Sequence, residues 1–211
     1  EVAHVGPVDV LVNNAGIMPL GPLLEESDAT TKAIIDVNLY GVIFGTKAVG
    51  PSMAANGGGH IINVASAVGR VALANGATYS ASKFAVVGFT EALRQELAPQ
   101  GIDVSMVLPT VVRTELAAGV PAARGVKAVT ADNVAEVIEA AIRKPVAELW
   151  VPRWSQALSK TTLAMPRVVQ DGMSKAIKAN DVLASADPKA RAAYEARARR
   201  SSNSASPVDV G

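Results

Sequence analysis

A serine, a tyrosine and a lysine stand at a spacing that could move a proton. Tyr79 and Lys83 are four residues apart, so on a helix they lie one above the other on the same face. An ammonium beside a phenol favours the phenolate, and we therefore expect the pKa of Tyr79 to fall below its usual value of about 10. Ser66 precedes the tyrosine and could hold the same substrate oxygen. Together the three side chains predict acid–base chemistry on an oxygen atom.

The elements that would position these side chains follow from the apolar pattern. A β-branched run at residues 61–64 predicts a buried strand that ends just before Ser66. A helix from Ala77 to about Ala98 would carry Tyr79 and Lys83 in its first turns. A Tyr-x-x-x-Lys pair arises easily by chance, so the pair alone fits a surface tyrosine beside a solvated lysine equally well.

Further motifs flank this group in a fixed order along the chain. The predicted strand 8–12 ends in Asn13-Asn14-Ala15-Gly16, and Asn38 lies inside a predicted helix that begins at Ser27 and ends near Ala55. A strand at 102–108 leads into Pro109 and Thr114. A helix at about 131–143 and a last strand at 149–151 complete an alternating α/β pattern.

This order of motifs resembles the short-chain dehydrogenase/reductase family, whose members carry NNAG, an Asn, a Ser, YxxxK and PGxxxT. The resemblance covers about residues 5–152. It implies an α/β fold with a Rossmann-like, doubly wound parallel sheet. It also implies an NAD(P)-dependent oxidoreductase that transfers a hydride between nicotinamide and a secondary alcohol or carbonyl.

The resemblance assigns roles residue by residue. The catalytic residues would be Asn38, Ser66, Tyr79 and Lys83, with Asn38 holding a water in a proton relay behind the lysine. The residues that bind NAD or NADP would be Asn13, Ala15, Gly16, Tyr79, Lys83, Pro109, Val112 and Thr114. The chain departs from the pattern at Thr110, where the family has glycine, and a β-branched residue would resist a positive φ there.

Composition limits the other classes of function. The net charge is +1 and the chain has no cysteine, so we expect neither a nucleic-acid-binding protein nor a disulfide framework. His4 and His60 have no partners at ligand spacing, so both are interpreted as structural and no metal site is expected. We find no apolar run as long as a membrane span and no signal peptide, so we expect a cytoplasmic protein.

The sequence divides into three parts. Residues 1–152 form a Rossmann-like domain, 153–200 a helical extension, and 201–211 a tail that we expect to be disordered. No glycine-rich phosphate turn opens onto a helix, because the glycines at 57–59 lie between a helix and a strand. We therefore expect the first βαβαβ half, roughly 70 to 80 residues, to precede Glu1. The choice between NAD and NADP would be made there.

The extension is basic, with ten Lys and Arg against four acidic residues over 153–200. Its apolar residues recur at three- and four-residue steps from Trp154, and Pro166 should kink the helix. Such a stripe fits a helix that covers the substrate cleft or a second subunit; contact with an anionic membrane surface is the less favoured alternative. The segment 115–130 is predicted to be the mobile substrate loop.

Two functions from different classes remain open. The favoured one is an oxidoreductase acting on a small-molecule alcohol or carbonyl, assembled as a homodimer or homotetramer through the helix with Asn38 and the helix with Tyr79, as the resemblance implies. The alternative is a non-catalytic, truncated member of the same fold that serves as a scaffold or binding subunit. Binding of NADH or NADPH would separate them.

Overall fold

The structure is a computed structural model that describes residues 6–121, 128–176 and 182–204. Four parallel strands form one sheet in the order β1-β2-β3-β4. Their bounds are Val10–Asn13, Gly59–Val64, Ile102–Pro109 and Glu148–Val151. Because parallel neighbours require a crossover, a helical segment joins each strand to the next. The Rossmann-like α/β fold predicted from the sequence is confirmed.

Helices cover both faces of this sheet. On one face lie α2 (Gly41–Ala55) and α3 (Ala77–Leu97), and on the other lies α4 (Ala131–Arg143). Alternate strand residues supply the two cores: Ile61 packs with α2 and α3, whereas Ile62 packs with α4. Both isoleucines are fully buried, as expected for a parallel sheet with two covered faces.

The helix that contains Asn38 is not continuous α-helix. The segment α1 (Asp28–Ile35) passes into a π-helical turn, Asp36–Tyr40, before α2 begins. Ser27 caps the start by accepting a hydrogen bond from the backbone of Thr30, as predicted. The π turn widens the backbone at Asn38, and such turns are frequent at functional sites.

The helical stretch Asp28–Ala55 is long and apolar enough to cross a membrane, with a mean hydropathy of 1.2. From the sequence we expected no run of that length. A third of the tested window is buried inside the protein. Its buried residues include Ile34, Asn38 and Met53, and Met53 packs against the sheet. A core helix of a globular domain passes the same test.

Three further helices follow the last strand. They are α5 (Trp154–Ala164), α6 (Arg167–Ala176) and α7 (Pro188–Ser204). The predicted kink at Pro166 is a full break between α5 and α6. The helix α7 continues through Ser204, into the segment 201–211 that we expected to be disordered. Residues 205–211 lie outside the described part of the chain, and so does His4, which we interpreted as structural.

The described residues of the predicted substrate loop at 115–130 include regular structure. Residues Glu115–Ala117 form a short 3-10 turn, Val129 makes a bridge to Val112, and Thr130 caps α4 in a capping box with Asn133. Residues 122–127 lie outside the described ranges.

Candidate active site

Ser66, Tyr79 and Lys83 meet at the carboxyl end of β2. Ser66 follows the strand in extended conformation, and its hydroxyl accepts a hydrogen bond from the backbone N–H of Val68 at 3.1 Å. Tyr79 and Lys83 stand in the first two turns of α3, where each side chain is 5% exposed. The Ser66 hydroxyl lies close enough to Tyr79 to lower the pKa of its phenol. The sequence-predicted group is thus brought together on one wall.

The pKa of Tyr79 moves in the direction opposite to the one expected from the sequence. Burial raises it to about 12, and the Ser66 hydrogen bond offsets only part of that rise. Lys83 does not reverse the effect, because its ammonium lies 6.0 Å from the Tyr79 ring centroid and is itself buried. Tyr79 therefore holds its proton at neutral pH.

Burial also weakens the charge on Lys83, whose pKa falls to about 8. The ammonium donates one hydrogen bond, to the carbonyl oxygen of Val64 at 3.1 Å. An ammonium has three protons to donate. Lys83 is therefore charged at neutral pH but close to the point at which it releases a proton.

Asn38 anchors the loop after β1 to the helices. Its side-chain oxygen accepts from the N–H of Ile17 at 2.8 Å, and its nitrogen donates to the Ile17 carbonyl at 2.9 Å and to the Ser82 hydroxyl at 3.0 Å. Both amide protons thus have protein partners. The side chain of Asn38 fixes the loop beside Lys83, and a role in a water relay stays a prediction.

The residues of the NNAG segment lie in two different places. Asn14, Ala15 and Gly16 line the cavity in front of Tyr79. The side chain of Asn13 is not brought there: it donates to Asn63 at 2.9 Å and to Thr46 at 3.4 Å, at the contact between the sheet and α2.

Asn13 belongs to a polar ladder that crosses the core. Asn63 on β2 accepts from Asn13 and donates to the Thr90 hydroxyl at 3.0 Å, and Thr90 donates to the Val86 carbonyl on α3. Asn63 is fully buried and Thr90 is 2% exposed. Buried amides of this kind must be paired, so the ladder joins β1, β2, α2 and α3. The apolar strand pattern gave no sign of it.

The segment after β3 supplies the opposite wall of the cavity. Pro109, Thr110, Val112 and Thr114 all line it, and contact of Pro109, Val112 and Thr114 with the cofactor stays a prediction. Thr110 does not take a positive φ, since Asn75 is the one non-glycine residue with positive φ in the described ranges. Threonine therefore fits where the family has glycine. Its hydroxyl oxygen is buried beside the cavity without a hydrogen-bond partner in the described structure.

The cavity itself is large, at about 1510 Å³. Helices α5 and α6 line it, as the favoured reading of the C-terminal stripe predicted, and both tryptophans of the chain, Trp150 and Trp154, contribute to its wall. Tyr194 on α7 lines it too. Sequence reasoning missed Tyr194, because nothing in a basic, alanine-rich helix indicates where it docks.

The residues present leave room for part of a dinucleotide. A Cβ atom at Gly16 would lie 3.4 Å from the Asn38 side-chain oxygen and 3.6 Å from the Lys83 nitrogen, so glycine keeps the space beside the ammonium open. The unpartnered Thr110 hydroxyl lies on the facing wall. In contrast, the described residues contain no cluster of three or more His, Cys, Asp or Glu that could hold a metal ion.

Comparison with protein families gives a match to the family described as short chain dehydrogenase over residues 1–125. The dehydrogenase/reductase SDR family member 7B of Xenopus tropicalis is 39% identical over 117 residues, which is 55% of this chain and 38% of that protein. The ketoacyl reductase HetN of a Nostoc species is 34% identical over 171 residues, which is 78% of this chain and 59% of that protein. The chain thus spans less than two thirds of the length of these relatives.

Solved structures show the same architecture. A short chain dehydrogenase from Burkholderia cenocepacia, crystallised in complex with NADP, superposes with a TM-score of 0.71 at 30% identity, covering 83% of this chain and 73% of that one. A 4-hydroxyisoleucine dehydrogenase complexed with NADH superposes with a TM-score of 0.63 at 29% identity, covering 71% of this chain and 69% of that one.

Proposed function

The chain belongs to the short-chain dehydrogenase family, and on that premise we propose that it is an NAD(P)-dependent oxidoreductase that interconverts a secondary alcohol and the matching carbonyl compound. The observation that carries the proposal is the shared wall of Ser66, Tyr79 and Lys83 inside one cavity. The activity and substrate of the whole protein are part of the proposal, because the relatives are longer than this chain.

In this mechanism Tyr79 gives its proton to the carbonyl oxygen during reduction. A pKa of about 12 keeps the phenol protonated at neutral pH, which suits a general acid. The buried ammonium of Lys83 then stabilises the phenolate that is left. In the oxidation direction the same phenolate takes the proton back from the alcohol.

Ser66 orients the substrate oxygen. The Ser66 hydroxyl oxygen already accepts a hydrogen bond from the Val68 backbone N–H. The Ser66 hydroxyl can therefore donate its own proton in a hydrogen bond to the substrate oxygen. A donor that is fixed before the reaction stabilises developing negative charge without reorganisation.

The cofactor is NAD or NADP, and the residues that would hold it are Ala15, Gly16, Tyr79, Lys83, Pro109, Val112 and Thr114, which all line the cavity. When bound, it supplies or accepts the hydride at the substrate carbon. Asn38 serves by fixing the loop after β1 against Lys83. A contribution of Asn13 would come through its backbone, since its side chain is bonded to Asn63.

We place the enzyme in the cytoplasm as a homodimer or homotetramer. Support for assembly comes from the outer surface where the π turn passes into α2: Tyr40 and Phe44 stack at 5.7 Å between ring centroids and are 45% and 61% exposed. Exposed stacked aromatic rings are typical of interface cores.

Titration of NADH and NADPH fluorescence tests the proposal, using this chain and a version extended upstream. We expect the extended chain to bind one cofactor and to reduce a carbonyl substrate. Tyr79→Phe should lower kcat by about a hundredfold or more while cofactor binding persists. Glu136→Gln, at an exposed residue of α4 that does not line the cavity, is the control and should retain full activity. If the extended chain binds neither cofactor, the scaffold alternative replaces the enzyme.

A further inference from the structure

The helix α7 is fixed across the cleft by one buried arginine. The guanidinium of Arg191 is 3% exposed and donates to the backbone carbonyls of Leu116 and Ala118 at 3.0 Å and of Met18 at 2.7 Å. It also pairs with Glu195 one turn later on the same helix. Because these carbonyls belong to the segments after β1 and after β3, Arg191 ties α7 to both sides of the cavity mouth.

This anchoring brings Tyr194 to the cavity that contains Tyr79. Its phenol oxygen accepts a hydrogen bond from the Met18 N–H at 2.6 Å, and its ring lies 5.1 Å from the Arg191 guanidinium carbon. The two phenols are close enough for the charge state of Tyr194 to affect the pKa of Tyr79. Tyr194 is thus a neighbour of the reacting group.

The hydroxyl proton of Tyr194 is uncommitted. A phenol both donates and accepts, and the acceptor role is taken by Met18. In the described part of the chain, the Tyr194 hydroxyl proton has no acceptor. Burial raises the pKa of Tyr194, so the proton is present at neutral pH. A fixed, protonated donor beside a cavity of about 1510 Å³ is a recognition element.

We propose that Tyr194 is a specificity-determining residue whose hydroxyl donates a hydrogen bond to a second acceptor oxygen of the substrate, separate from the oxygen that reacts at Tyr79. The proposal rests on the proposed function and narrows it to substrates that carry a second acceptor oxygen besides the reacting carbonyl oxygen. The remainder of the substrate is apolar, because the cavity wall contains Val71, Leu73, Phe84, Leu158 and Leu163.

A binding experiment tests this without turnover. Both tryptophans line the cavity, so intrinsic fluorescence reports its occupancy. The probes are ethyl 3-oxooctanoate and 6-undecanone, which has the same chain length with two methylenes in place of the ester group. The measured quantity is the ratio of the two dissociation constants, which cancels general effects on the cavity.

Tyr194→Phe should shift that ratio about three- to tenfold against the ester, as expected for one lost hydrogen bond, with the affinity for the ketone unchanged. Glu136→Gln, at an exposed residue of α4 that does not line the cavity, should keep the wild-type ratio. The unchanged ketone affinity shows that the variant cavity is folded.

A Tyr194→Phe variant that keeps the wild-type ratio, or that binds neither probe, overturns the inference, because Tyr194 would then be a structural residue. Failure here is distinct from failure of the proposed function. If the protein does not catalyse NAD(P)H-dependent reduction but Tyr194→Phe still shifts the ratio of dissociation constants, only the proposed enzymatic function is refuted. If the protein catalyses reduction but Tyr194→Phe does not shift the ratio, only the role of Tyr194 is refuted.

Discussion

Replacing Lys83 by methionine should stabilise the folded chain at pH 7 at the expense of its chemistry. The ammonium is 5% exposed, and burial lowers its pKa from 10.5 to about 8. At about 1.4 kcal/mol for each pKa unit, keeping this charge inside the protein costs about 3 kcal/mol. Methionine has a similar shape and needs no hydration, but it loses the hydrogen bond to the Val64 carbonyl, worth about 1 kcal/mol. The expected net gain is about 2 kcal/mol.

The pH dependence of this gain follows from proton linkage. Below pH 8 the lysine is charged in both the folded and the unfolded chain, so the full cost is present. Between pH 8 and 10.5 the unfolded chain holds a proton that the folded chain has released, and the wild type becomes more stable as the pH rises. The advantage of Lys83→Met should therefore shrink through this window and reverse by about 1 kcal/mol above it.

Urea unfolding followed by circular dichroism, at several values between pH 7 and 11, measures both free energies. Lys47→Met is the matched control, because Lys47 lies exposed on α2 and its replacement should change the free energy of unfolding by less than about 0.5 kcal/mol. A Lys83→Met variant that is less stable than the wild type at pH 7, or whose advantage is constant across the range, would show that burial does not penalise this charge.

Three further substitutions test the packing around the site. Gly69→Ala, in the 3-10 turn after β2, should destabilise the chain by about 1–3 kcal/mol, since its Cβ would lie 2.7 Å from the backbone oxygen of Lys83 and 2.9 Å from Val87. Gly88→Ala, on α3, is the control: its Cβ meets nothing within 4 Å, and it should stabilise the chain by up to about 1 kcal/mol. Equal effects of the two in thermal unfolding would contradict this account. Arg191→Met should leave three backbone carbonyls unpaired, so amide exchange in α7 should accelerate by about a hundredfold while the exchange of β2 and β3 stays slow. Uniform acceleration over the whole chain would argue against a local anchor.

The sequence predicts most of the sheet and the central group because both depend on local signals. Apolar β-branched runs mark the strands, and the four-residue spacing of Tyr79 and Lys83 places them on one helix face. The direction of the pKa of Tyr79 could not be predicted, because the spacing gives the neighbouring charge but not the burial of both groups. Burial is a tertiary property, and here it is the larger effect.

The features that the sequence did not predict are also tertiary. A helical pattern around Asn38 does not distinguish α from π hydrogen bonding. The sequence also does not show which asparagine of NNAG faces the cavity, because the side chain of Asn13 is held by Asn63 on the neighbouring strand. The docking of Tyr194 depends on contacts more than 170 residues apart, such as that with Met18. Long-range contacts of this kind leave no period in the sequence.

The pairing of Asn13 with Asn63 has a consequence for how the sheet finds its alignment. Valines and isoleucines adhere well in many relative positions, so β1 and β2 could slide along each other at little loss of apolar contact. A slip by one residue would separate the two amides and leave the buried side-chain oxygen of Asn63 without its donor, at a cost of about 1–3 kcal/mol. The amide pair therefore favours one register of β1 against β2. That register fixes where each strand ends and its loop begins at the catalytic edge of the sheet.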